Sequence, residues 1–230
     1  MKSFTLTTLV RRSPIFPYVV TFKEILKSLR RQDFSQFGEQ SVLLRMIPSA
    51  KGSYLDIGSG RPVSGSNTFL LYKMGWSGIL VDPIKANSWS SQFIRRRDLC
   101  INGLVGDFES STFFEFFPYE YSTVSEKIAN EIFMEKSHVR LVAQYRVRGI
   151  SAAELFRKLP KNEFVFLNID VEGVDLEVLN SLNLEVNRPD LICIEEWEFE
   201  NPRESLVATL LSKHGYRFVE RVGLSSFYMK

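Results

Sequence analysis

Apolar positions along this chain follow two periods. Short, almost continuously apolar runs rich in β-branched and aromatic residues lie at 53–57, 79–82, 101–105, 164–169, 191–195, 216–220 and 225–229, and read as strands. Between them apolar residues return every three to four positions, at about 39–47, 67–74, 86–96, 126–136, 151–159, 174–182 and 203–213, which is the helical period. Strands that alternate with helices and carry no polar face predict a mainly parallel sheet covered on both sides. The end of the chain breaks the alternation: "GYRFVERVGLSSFYMK" holds two strand-like runs with only Val222–Gly223–Leu224 between them, a hairpin without a helix. The expected architecture is α/β, a doubly wound, seven-stranded mixed sheet that ends in an antiparallel hairpin. Residues before about 35 match no core element, so 1–34 are expected to form an arm or lid and 35–230 the folded domain.

Composition alters this picture little. With 230 residues, 44% hydrophobic and 24% charged, the chain can bury one substantial core, and its 19 phenylalanines are read mostly as part of it. A net charge of +2 gives no general case for a nucleic-acid partner. The charge is unevenly placed, because residues 1–50 carry Lys2, Arg11, Arg12, Lys23, Lys27, Arg30, Arg31 and Arg45 against Glu24, Asp33 and Glu39. This basic N-terminal arm is either a solvated extension or a contact for an anionic partner such as membrane lipid or a sugar phosphate. Arg95–Arg96–Arg97 reads as the exposed end of a helix. Cys100 and Cys193 are too few for a disulfide framework and read as buried, reduced thiols of a cytoplasmic protein. No apolar run approaches the ~18 residues of a spanning helix, and "TLTTLV" is too short for a signal-peptide core.

The chemistry begins at "SYLDIGSGRPVSGSNTFLLYKMGWSGILVDP", residues 53–83. A strand running into Gly58–Ser59–Gly60 places a ligand at the carboxyl ends of the strands, where a missing Cβ lets the backbone come close. Ser66 or Asn67 can cap the following helix. Asp82, at the end of the second strand, can accept both hydroxyl protons of a ribose. A nicotinamide dinucleotide would use the same acid, but it requires G-x-G-x-x-G leading directly into a helix. Here Gly58, Gly60 and Gly65 are spaced G-x-G-x-x-x-x-G with Arg61–Pro62 interposed. Asp56, ahead of the glycines, would repel a pyrophosphate and suits the cationic amino and sulfonium groups of S-adenosylmethionine. In "NGLVGDF", Asp107 is either an acceptor for the adenine amine or a turn former.

These segments resemble the FkbM-type methyltransferase family from about Phe34 to Lys230. "SQFGEQSVL" at 35–43, the glycine segment, "FFEFFPYEYST", "FLNIDVEGVDLEVLNSL" and "RPDLICIEEWE" appear in that order. The resemblance implies a Rossmann-like class I methyltransferase fold, marked by its antiparallel last strand, and S-adenosylmethionine as cofactor. It also implies donor contacts at Asp56, Gly58, Gly60, Ser66, Asn67 and Asp82, and a hydroxyl acceptor on a sugar, glycan or polyketide-like molecule.

Methyl transfer to an alcohol needs alignment and either a base or a metal, because a protonated hydroxyl is a poor nucleophile. "FVFLNID" is apolar up to Asn168 and Asp170, and Asp170 and Glu172 share a face for as long as the strand persists. Asp170 is a candidate base and Glu172 a second catalytic acid; helix capping is the alternative for both. Glu195 and Glu196, after the neighbouring strand, could join Asp170 as hard ligands for Mg²⁺, although adjacent strand residues face opposite ways. His138, in the 122–148 connection, is the candidate histidine base, whereas His214 reads as a cation at a helix C-terminus. A nicotinamide-dependent oxidoreductase and a non-catalytic binding or assembly protein on the same fold are the alternatives to an O-methyltransferase.

Overall fold

The computed structural model describes residues 16–48, 51–197 and 201–230. The strands are β1 (Ser53–Ile57), β2 (Ser77–Asp82), β3 (Leu99–Asn102), β4 (Leu104–Val105), β5 (Ser110–Phe117), β6 (Arg140–Ile150), β7 (Val165–Ile169), β8 (Leu191–Glu195), β9 (Arg217–Val222) and β10 (Ser225–Met229). The helices are α1 (Phe16–Arg30), α2 (Glu39–Met46), α3 (Phe69–Lys73), α4 (Lys85–Ile94), α5 (Glu126–Glu135), α6 (Ala152–Lys158), α7 (Asp175–Ser181) and α8 (Leu206–Lys213).

Seven strands form one sheet in the order β3-β2-β1-β7-β8-β10-β9. Its first five are parallel, and β10 runs antiparallel to both β8 and β9. The chain winds outward from β1 to β3 and then returns to lay β7 against the other side of β1. That reversal opens a crevice above the carboxyl ends of β1 and β7, the place where open α/β sheets bind ligands.

Alternation divides the core into two layers. Leu55, Ile57, Ile79, Val81, Leu167, Ile169, Ile192 and Ile194 face one side and pack with Leu155 of α6, Val178 of α7 and Leu211 of α8. Tyr54, Leu80, Phe166, Leu191, Cys193 and Phe227 face the other, against Val42 and Leu43 of α2 and Leu71 of α3. Cys193 is buried and Cys100 half-buried, both as free thiols. Phenylalanine is not confined to the core: Phe22, Phe37, Phe93, Phe108, Phe117 and Phe133 are exposed.

Three segments depart from the sequence pattern. The run 101–105 is divided at Gly103, so that Leu99–Asn102 joins the main sheet while Leu104–Val105 pairs with β6. The stretch between β4 and α6 adds a three-stranded sheet, β4-β6-β5, that no period announces. A register shift explains why: Glu115 pairs with Ala143 and Phe116 with Leu141, leaving Val142 as an extra residue. This bulge lets Val142 and Val147, an odd number of positions apart, both be buried, which erases the two-residue alternation. The third departure is Arg95, which is no exposed helix end. It is fully buried, with Nε 2.7 Å from Asp98 and Nη2 donating to Tyr54 at 2.9 Å and to Thr68 at 3.0 Å.

The described part of 1–34 is a docked helix. α1 packs on α4, Thr21 donates to Ser90 at 3.0 Å, and buried Glu24 accepts from the Ser64 backbone N–H at 2.8 Å. Lys2, Arg11 and Arg12 lie outside the described residues.

Candidate functional site

The loop after β1 is held from both sides. Gly58 and Ser59 donate to the Val81 carbonyl at 2.9 and 3.1 Å, and Asp170 N–H donates to the Ile57 carbonyl at 3.0 Å. Gly58 has φ +78°, and a Cβ there would lie 1.6 Å from the Asp170 carbonyl oxygen, so glycine is required by the approach of β1 to β7. Gly60 has φ +58° and its N–H donates to Asp82 Oδ2 at 2.8 Å. Asp82 Oδ1 accepts from Ile84 N–H at 2.7 Å and from Asn87 at 3.3 Å. Burial pushes the Asp82 pKa up to about 7 against the N–H bonds from Ile84 and Gly60.

Gly58, Ser59, Gly60, Asp82, Asp107, Asp170 and Glu172 all line one cavity of about 440 Å³. Its apolar wall is Ile84, Leu104, Val105, Phe108 and Phe113, and Tyr119 and Val124 of the inserted segment cover it. Arg61 lies over the Tyr119 ring at 4.9 Å. The "FFEFFPYEY" run was the sequence signal for Phe113 and Tyr119, since an aromatic cluster ahead of a Ser–Thr pair has to bury its rings against something. Ile84, Leu104 and Phe108 had none beyond being apolar.

Asp56, Ser66 and Asn67 are not on that wall. Asp56 accepts from Thr68 at 2.5 Å and from Asn168 at 2.9 Å, beside Arg95, and so ties β1 to β7 and to the start of α3. Asp56 shares the face of Tyr54, Leu80 and Phe166 with Asp82 and Asp170, but it pairs with Leu80 and Asn168, one alternation short of the strand ends where those two acids stand. Asn67 donates to Asn168 at 3.1 Å, and Ser66 accepts from Phe69 N–H at 3.1 Å, starting α3. The acids that line the cavity are Asp82, Asp107, Glu120, Asp170, Glu172 and Glu177, and Asp56 is not one of them.

The "IDVEG" turn is organised by a residue beyond it. Asp175 accepts from Val171 N–H at 2.9 Å and Gly173 N–H at 3.1 Å, which is the capping work that Asp170 and Glu172 were alternatively expected to do. Glu172 sits at φ +57°, an uncommon conformation for a side-chain-bearing residue, next to Gly173 at φ +95°. The turn brings Asp170, Glu172 and Glu195 together, with one carboxylate oxygen of each within 4.8 Å of the others. Glu196 does not join them, because it faces the opposite layer and accepts from Tyr228 at 2.8 Å. His138 is exposed, edge-on to Tyr121 at 5.8 Å, and is not on the cavity wall. His214 caps the C-terminus of α8.

Burial, then Glu195 and Asp175, raise the Asp170 pKa well above the usual carboxylate range. Burial and then Asp170 raise Glu172, and burial followed by Asp175 pushes Glu195 up to about 7. The folded state thus holds protons that the unfolded chain releases, so stability is full at pH below the ordinary glutamate range and is lost as pH rises through about 7. Glu195→Gln keeps an acceptor for the Trp197 indole, now at 2.9 Å, and removes one charge. The variant is expected to unfold about 4–8 °C higher than wild type at pH 8, for roughly 2 kcal/mol, and at about the same temperature at about pH 4, below the ordinary glutamate range. Circular dichroism melts at both pH values read this, and equal melts at pH 8 would show that burial beside Asp175 does not hold Glu195 protonated.

Residues 56–218 match the family described as the methyltransferase FkbM domain. No curated protein matches the chain in sequence. A solved structure titled as a SAM dependent methyltransferase from Aquifex aeolicus is 15% identical over 93% of this chain and 96% of that one, with a TM-score of 0.37. The family match runs from the end of β1, through the glycine loop, Asp82 and the "IDVEG" turn, into β9, and with it the chain belongs to the FkbM methyltransferase family.

Proposed function

We propose that the cavity binds S-adenosylmethionine and that the protein transfers its methyl group to a hydroxyl of a sugar, glycan or polyketide-like acceptor, with Asp170 taking the hydroxyl proton. The observation that carries this reading is that the glycine turn and Asp82 open onto the same cavity as Asp170 and Glu172. The cavity, at about 440 Å³, suits a small-molecule ligand. Asp82 makes three hydrogen bonds, and a carboxylate offers about four acceptor sites, so it has capacity left for a ribose. Ile84, Leu104, Phe108 and Phe113 offer a flat base apolar contact. Bound there, S-adenosylmethionine supplies an already activated methyl group.

The chain's own residues then orient and deprotonate. Asp82 and the Gly58–Gly60 backbone fix one end of the cavity, and Asp170, across the β1–β7 crevice, holds the base position. Phe113, which is buried, and Tyr119 line the space between them with apolar surface. Burial and acidic neighbours raise the Asp170 pKa well above the usual carboxylate range, which makes it a stronger base once ionised. A divalent cation held by Asp170, Glu172 and Glu195 is the second reading, favoured by their 4.8 Å spacing. Cys100 and Cys193 are both unpaired, which agrees with a cytoplasmic setting.

Asp82→Ala is expected to weaken S-adenosylmethionine by about 1.5–3 kcal/mol, the range for hydrogen bonds to a charged group. Titration calorimetry on folded protein measures it. Unchanged affinity, or tight binding of NAD in place of S-adenosylmethionine, would remove the proposed donor site.

A further inference from the structure

α1 has two working faces. Its inner face carries Thr21 and Glu24, both buried, and Glu24 bonds to Ser64 on the cavity wall. Its outer face carries Tyr18, Phe22, Leu26 and Leu29, which are 63%, 63%, 37% and 78% exposed. These four recur at i, i+4, i+8 and i+11, an arc of about 80° on a helix of 3.6 residues per turn. A helix that buries a polar-capable face and presents four large apolar side chains outward is inverted relative to an ordinary surface helix. The apolar surface continues onto α4, where Tyr18 meets Trp89 edge-on at 4.8 Å and Trp89 stacks on exposed Phe93 at 6.0 Å.

The exposed charge on α1 and α4 is positive, and the one exposed acid just after α1, Asp33, accepts from Ser35. Lys23, Arg30 and Arg31 are exposed on and just after α1, and Arg96 lies over the Phe93 ring at 5.6 Å. The one acid of α1 is the buried Glu24, and α4 has none. Two copies packed face to face would bring like charges together, and a nucleic acid would have no use for four exposed apolar side chains. An apolar stripe bordered by cations fits a surface that is apolar within and anionic at its boundary.

We propose that the α1–α4 face docks onto an anionic lipid bilayer, with Phe22 and Leu29 entering the headgroup boundary and Lys23, Arg30 and Arg96 meeting lipid phosphates. Among the described residues no helix is long and apolar enough to cross a membrane, so the attachment is peripheral. Glu24 and Ser64 connect this face to the cavity, which places the methyl-transfer chamber beside the bilayer.

The full chain would be sedimented with vesicles of phosphatidylcholine alone and of phosphatidylcholine containing phosphatidylglycerol, at low and high salt. Binding is expected to the anionic vesicles, weakening as salt rises. Lys23→Glu with Arg30→Glu should lower that binding at least about tenfold, from about 1 kcal/mol for each basic residue. Phe22→Ser with Leu29→Ser should lower it comparably while leaving the melting temperature unchanged, since both side chains are exposed. No preference for anionic vesicles would overturn the proposal. So would binding that both double variants retain but that is lost on changing Lys2, Arg11 and Arg12, which would place the contact in the preceding residues. A wild type that is dimeric, becomes monomeric in Phe22→Ser with Leu29→Ser and ignores vesicles would assign the face to a second copy instead.

Discussion

Asp170→Asn is expected to lower turnover by about 10²–10⁴, the range for losing a general base, while S-adenosylmethionine affinity changes less than about twofold, because Asp82 and the glycine loop hold the donor. The substitution keeps the shape and removes a charge from a group crowded by Glu172 and Glu195 within 4.8 Å. Its melting temperature should therefore hold or rise, and the loss of activity cannot be assigned to unfolding. Turnover of wild type should climb with pH, since Asp170 works ionised and burial with its acidic neighbours keeps it protonated above the usual range. The Asn variant should lose that rising limb. EDTA separates the two roles: a direct base leaves wild-type activity intact, whereas loss restored by Mg²⁺ makes Asp170, Glu172 and Glu195 ligands. A fully active Asn variant would leave Asp170 a structural acid.

What could be read from the sequence follows from how local each constraint is. The β1, β7 and β8 runs are buried on both faces, so their apolar continuity marks them as strands without knowledge of their partners, whereas the placing of β7 beside β1 comes from the fold. Parity within those runs also carried information. It separates Glu195 from Glu196, and it puts Asp56 on the Tyr54 face with Asn168, its register partner across β7. The glycine motif draws attention to a ligand at Asp56, yet the nearest cation is Arg95, which only the fold brings to it. Arg95 itself sits in a run of three arginines whose last two are exposed, so composition points the wrong way for the first. The β5–β6 sheet was hidden by the bulge at Val142, and α1 by having its apolar stripe on the outside. Each of these depends on a contact distant in sequence.

The two glycines of the loop should respond in opposite ways. Gly58→Ala puts a methyl group 1.6 Å from the Asp170 carbonyl oxygen and 2.6 Å from its carbon, on backbone that is itself bonded to Ile57 at 3.0 Å. The clash is with main chain, not a side-chain tip, so it can be relieved only by separating the ends of β1 and β7. That breaks the Asp170–Ile57 hydrogen bond and adds the cost of φ +78°, about 1–2 kcal/mol for a residue with a Cβ. The sum is expected to exceed about 4 kcal/mol, a fall in melting temperature of at least about 8 °C. Gly60→Ala meets nothing nearer than 4.0 Å and pays only for φ +58°, roughly 1 kcal/mol. Its methyl group, however, projects from the cavity wall, where it should weaken S-adenosylmethionine more than it weakens the fold. Paired thermal melts and calorimetric titrations of the two variants test this. Equal losses of stability would mean that β1 and β7 do not approach as closely as the loop geometry requires, and Asp170 would then not stand beside the glycine turn from which its proposed role follows.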